Sequence, residues 1–332
     1  MPLPLIPLIG IAAAGLFGAG KTVGAIMDNS KAKDINSSAN SIVDDAKKLI
    51  NNCKEASGKS LEALGGKKAY VLNNGIKYFL DEFSKLKNVD FSQTKGLEEL
   101  DKFTIDKQSL NELRDMSNFA ASILGGTTTG AGAGALIAFG AYQGAMLLGT
   151  ASTGALISGL SGAAATNATL AFLGGGSLAA GGLGMAGGMA VLGGLVAAPA
   201  LAVLGIFMGS SASKNLDNAY SNLSEAEKFY EEMKTAAALC NGIRRRAYMF
   251  ERLLIRLDAM LYQSIAGMRD AINNNGTDYR KFSDNEKKIV ATAASLAKAV
   301  KTILDTPILT DDGNLTPQSL ETANTVAKAL PA

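Results

Sequence analysis

The chain has 332 residues, with 32 Lys or Arg balanced against 30 Asp or Glu, and it contains no His and no Trp. With no His and only Cys53 and Cys240 as thiols, it cannot assemble a zinc, haem or iron–sulfur ligand set, nor a Cys–His or Ser–His–Asp relay. No metal, cofactor or enzymatic activity is therefore expected, and the near-neutral total hides a partition, because residues 116–213 hold no Asp, Glu, Lys or Arg at all.

Residues 1–27 open with the charge-free stretch Met1–Gly20, which lacks the basic n-region of a secretory signal and reads as a retained, membrane-contacting segment. Gly15–Thr22 satisfies the phosphate-loop pattern GxxxxGK[ST]. That loop needs a parallel sheet and a later acidic strand residue to hold magnesium. The text that follows reads as helix, and a Gly/Ala-rich apolar run ending in Lys-Thr produces the pattern easily.

Residues 28–115 read as the first part of a helical bundle. Ile35, Ala39, Ile42, Ala46, Leu49, Cys53 and Ala56 recur at steps of three and four, which predicts one helix over Asp34–Ser57. A second helical block runs from Ser60 to Lys87, with Gly65–Gly66 and Asn73–Asn74–Gly75 as weak points, and Asp106–Met116 leads into the neutral zone. Two cysteines in so long a chain do not suggest a disulfide scaffold, and on a cytoplasmic face they would stay reduced; their pairing is left open.

Residues 116–213 are expected to be a Gly-rich transmembrane region. Apolar stretches at 119–149, 151–173 and 177–210 are each near or above the ~20 residues that cross ~30 Å of hydrocarbon, which fits two to four spans. The pairs Gly130/Gly134, Gly140/Gly144, Gly184/Gly188 and Gly205/Gly209 are GxxxG spacings that let membrane helices pack closely. Neutral polar groups such as Gln143, Thr153, Asn167 and Thr169 suit either a pore lining or hydrogen bonds between helices. With no ionisable side chain inside, a proton relay or voltage sensor is disfavoured, and so are pumps.

Residues 214–332 read as the second part of the bundle. One apolar stripe runs from Leu216 to Cys240, Asn241–Gly242 punctuates it, and another runs from Ile243 to Ile272 before Asn273–Gly276. A shorter helix over Ser283–Asp305 opens with Ser283 and Glu286 in capping-box spacing. Stripes joined by short turns predict an all-α, antiparallel bundle built from both flanks, with the neutral zone as its membrane end. Arg244, Arg245, Arg246, Arg252 and Arg256 crowd one stretch, and Arg245, Arg252 and Arg256 share a helical face near Tyr248. Planar guanidinium groups beside aromatic rings suit phosphates and stacked bases, so this is the candidate face for nucleic acid or another anionic ligand. The same pattern also fits a solvated face with local ion pairs to Glu251 and Asp258, or one resting on anionic headgroups.

The run Ala165–Gly188 resembles a glycine-rich stretch found in bacterial membrane proteins. Together with Asp28–Asn36 before the first long helix, the arrangement resembles the membrane effectors of bacterial anti-phage systems of the Hailong type. That resemblance implies a homo-oligomeric channel in the bacterial inner membrane whose cytoplasmic helical part is gated by a single-stranded DNA oligomer. The alternatives are a secreted α-helical pore-forming toxin and a non-conducting membrane scaffold.

Overall fold

The computed structural model describes residues 23–91, 105–125, 136, 139–141, 216–310 and 314–330. Among these residues the fold is all-α, with no strand and only the isolated bridges Lys87–Asp278 and Leu309–Leu315.

Helix α1 (Val23–Val71) runs through the gap expected near Ser57–Ser60 and through Gly65–Gly66 without a break. It continues as a π-helical turn over Leu72–Ile76 into α2 (Lys77–Phe83). The weak point expected at Asn73–Asn74–Gly75 is thus a change of helical pitch. The Leu72 carbonyl accepts a hydrogen bond from the Ser117 hydroxyl at 2.9 Å, and a Cβ on Gly75 would collide with Asp258 Oδ1. A π-turn tolerated at this place is one whose strain is offset by such tertiary partners.

Helix α3 (Lys107–Gly125) is capped by Asp106, whose carboxylate accepts from the Ser109 amide at 2.6 Å. It crosses the charge boundary at 115/116 without interruption. Met116, Phe119 and Ala120, from its charge-free half, lie in the core, as do Phe139 and Ala141 beyond it. The first apolar stretch, expected to span a membrane from 119, therefore begins inside the helical bundle.

Helix α4 (Leu216–Asn275) spans 60 residues, about 90 Å at ~1.5 Å per residue. It passes straight through Asn241–Gly242, where a break was expected. A Cβ on Gly242 would meet Leu315 Cδ1 at 2.7 Å, so the Leu315 side chain would have to shift. Every seventh residue of α4 from Ala219 to Met268 is buried, through Ala226, Met233, Cys240, Ala247, Leu254 and Leu261. An unbroken seven-residue period is what keeps two long helices in contact along a supercoil.

Its partner is α1, and the two are parallel. Asn222 donates to Asn36, Ser57 to the Cys240 carbonyl, and Arg269 to Glu82, so the numbers rise together along both helices. The expected antiparallel arrangement fails here, since the segment joining the two helices is long enough to return the chain to the same end.

Two short helices complete the far end. Gly276, with φ 77°, ends α4 in the left-handed conformation that glycine adopts without strain. Helix α5 (Asp284–Asp305) starts from the expected capping box: the Ser283 amide donates to Glu286 Oε2 at 2.8 Å and the Glu286 amide to Ser283 Oγ at 3.4 Å. Helix α6 (Pro317–Ala329) has Thr316 as its N-cap and Pro317 in its first turn. Phe79, Phe250, Leu254, Leu257, Val300 and Ile303 are buried together in the main core. Each such side chain contributes ~1.5–3 kcal/mol by leaving water.

Candidate functional site

The arginine-rich face lies on the middle of α4. Arg244, Arg245, Arg252 and Arg256 are all exposed, and Arg244 donates to Asn241 Oδ1 at 3.3 Å. The Arg252 guanidinium lies over the Tyr248 ring, 5.8 Å from its centroid, a cation–π contact that holds both groups at the surface. Tyr248 is 58% exposed, Ile255 47% and Tyr262 66%. They stand seven residues apart, so α4 carries a second stripe, aromatic and basic, turned away from α1.

Arg246 does not belong to this face. It donates to Ser319 Oγ at 2.5 Å, and partial burial against α6 lowers its pKa. The two acidic neighbours are placed differently as well. Asp258 faces inward against Gly75, where burial raises its pKa and Lys67 opposes the shift, while Glu251 is half-buried. The outer stripe therefore brings four arginines and exposed ring faces together, the chemistry that binds a phosphate chain and stacks its bases.

Several other cations of the bundle are held in ion pairs. Arg269 and Lys85 both bind Glu82, at 3.2 and 2.8 Å, and Arg280 binds Asp278 at 2.8 Å. Arg114 lines a polar groove of about 210 Å³ with Asn73, Lys77, Asp81 and Asn118, between the π-turn and α3.

A second site was missed by sequence reasoning. Lys68 is fully buried and donates to the carbonyls of Phe139 at 2.9 Å and Gly140 at 3.2 Å. Its ammonium also lies over the Phe139 ring at 5.6 Å. The Ala141 carbonyl accepts from the amides of Ile308 and Leu309 at 2.8 and 3.3 Å. Residues 139–141 are thereby fastened to α1 and to the chain after α5. Burial lowers the Lys68 pKa from 10.5 to about 7, partly opposed by Asp305. Asp305 in turn binds Lys301, which binds Glu112 at 2.6 Å. Burial disfavours the Lys301 charge, yet its two carboxylate partners raise its pKa. The signal that could have found Lys68 is its register, for it sits between Leu61, Leu64 and Leu72 on the inward stripe of α1.

Of the glycines singled out for close packing, Gly140 is described. A Cβ on it would collide with the Leu61 carbonyl, and a Cβ on Gly65 would collide with the Leu136 carbonyl. Gly140 thus permits close backbone approach against α1, within the bundle. Gly130, Gly134, Gly144, Gly184, Gly188, Gly205 and Gly209 lie outside the described residues, as does the Gly15–Thr22 motif. Among the described residues no helix is long and apolar enough to cross a membrane.

Comparison with protein-family models, with curated proteins and with solved structures returned no match. The class that the described residues define is an all-α protein built on a long parallel helix pair.

Proposed function

We propose that the chain is the subunit of a homo-oligomeric membrane channel or pore, a toxic effector of the bacterial anti-phage kind, whose helical bundle regulates it from the cytoplasmic side of the inner membrane. The observation that supports this reading is the parallel pairing of α1 and α4. Val23 and Leu216 start these helices at the same end of the pair. In the sequence, the charge-free residues 1–20 precede Val23 and the charge-free residues 142–213 precede Leu216. A long helix pair whose two starts both follow charge-free sequence, and whose basic, aromatic stripe lies on the middle of α4, suits a device that carries a binding event to a bilayer. On this reading the Arg245, Tyr248, Arg252 and Arg256 stripe takes a single-stranded nucleic acid or a comparable anionic chain.

The test is conductance. Purified protein added to dye-loaded liposomes should release dye when a short single-stranded DNA oligomer is present, and deletion of residues 142–215 should abolish release. Replacement of Arg245, Arg252 and Arg256 with Glu should remove both DNA binding and its steep salt dependence, while release by other triggers persists. Protein that inserts yet stays silent under every ligand and salt condition sinks the channel reading, and a parent that fails to bind DNA at low salt sinks the sensing face.

A further inference from the structure

Cys53 and Cys240 are the two cysteines of the chain, and they come from helices far apart in sequence. The α1–α4 pair brings them to one level. The Ser57 hydroxyl, itself buried, donates to the Cys53 carbonyl at 2.9 Å and to the Cys240 carbonyl at 3.0 Å. One hydroxyl therefore touches both backbones, and both cysteines belong to the same buried cluster of the α1–α4 seam; a disulfide between them requires a Cα separation of ~4.4–6.8 Å. Both side chains stand on the inward seam: Cys53 follows Ala39 and Ala46 at steps of seven, and Cys240 follows Ala226 and Met233 in the same way. Alanines at the neighbouring layers let the helices lie close. Cys53 is partly exposed and Cys240 is buried, so Cys53 is the cysteine that a small oxidant meets first.

We propose that Cys53 and Cys240 form a redox-modification site, in which a peroxide converts the two thiols into an intramolecular disulfide that staples α1 to α4. The Cys53 thiolate attacks one peroxide oxygen; the O–O bond breaks, water leaves after protonation, and the sulfur becomes a sulfenic acid. The Cys240 thiolate then attacks that sulfur, the S–S bond forms, and the hydroxyl departs as a second water. Two thiols lose two electrons and two protons, and one hydrogen peroxide becomes two waters. The staple holds the helices together between their starts and the far bundle, and a dithiol reverses it. This inference stands on the seam geometry and is independent of the channel reading.

The experiment uses the full-length reduced protein in detergent, treated with hydrogen peroxide and analysed by intact mass and peptide mapping. The expected result is loss of the mass of two hydrogens, a linked Cys53–Cys240 peptide in most molecules, and recovery of both thiols on reduction. Cys240→Ser should instead leave a sulfenic acid at Cys53 that dimedone traps, and Cys53→Ser should leave Cys240 unreacted. Circular dichroism establishes that each variant is folded. Links only between chains, or overoxidation of Cys53 in the parent with Cys240 still a thiol, would overturn the proposal.

Discussion

The α1–α4 pair is held differently toward its two ends. Near Val23 and Leu216 the seven-residue columns are Ala32, Ala39 and Ala46 on α1 and Ala219 and Ala226 on α4, with Val43, Ile50, Phe229 and Met233 packed beside them, and the core there, among the described residues, is drawn from these two helices alone. Toward Phe83 and Asn275 the same seven-residue column carries Leu254, Leu261 and Met268, and α3, α5 and α6 close over it. Apolar burial scales with the area removed from water, so an alanine layer contributes far less than a leucine layer. The helix pair therefore has a weak end, where α1 and α4 both start, and a strong end that carries the fold. Local opening belongs to regions with few buried apolar contacts, and here that is the end where α1 and α4 start.

Three substitutions test this contrast. The largest effect belongs to Phe250→Ala at the strong end, where the ring is fully buried. It should cost ~3–5 kcal/mol, read as a fall in the urea midpoint of the whole helical signal. Preservation of that midpoint would mean that the strong end is not the source of stability.

Next comes Lys68, which ties residues 139–141 to α1 beside Asp305, Lys301 and Glu112. The folded state holds this lysine near pKa 7, against 10.5 when unfolded. Between those values the unfolded chain binds a proton that the folded chain does not, so stability rises with pH across the window. It is lost as pH falls toward 7. The slope is up to ~1.4 kcal/mol per pH unit, and Lys68→Met should flatten it. A parent and variant with the same pH profile between 7 and 10 would place the burial penalty elsewhere.

The smallest of the three is Met233→Ala at the weak end, near the lower bound of the ~2–5 kcal/mol seen for large-to-small changes, because two helices can close over the gap. Its signature is faster amide exchange in the first half of α4 with the exchange around Leu254 and Leu261 unchanged. Equal acceleration at both places would show one cooperative unit.

Much of this was legible in the primary structure. The stripes of α1 and α4, the capping box at Ser283 and Glu286, and the shared face of Arg245, Arg252 and Arg256 follow from spacing alone, since helical geometry converts intervals of three, four and seven into faces. Neither the weak point expected at Gly65–Gly66 nor the punctuation expected at Asn241–Gly242 interrupts its helix. A helix-interior glycine costs ~1 kcal/mol in isolation, but packing overrides it, as at Gly65, where the Leu136 carbonyl occupies the place of a Cβ. The membrane stretch expected from 119 starts within the bundle because Phe119 and Phe139 meet edge to face over a core that α1 supplies.

The sequence by itself determined the helical class, the charge-free partition and the outer basic stripe, because these depend on composition and local period. Only the tertiary structure decided that α1 and α4 run parallel, that Arg246 turns to α6, that Lys68 lies inside and that two distant cysteines share a level. Each of these depends on which helix faces which and in what register, and a helical period carries neither direction nor partner.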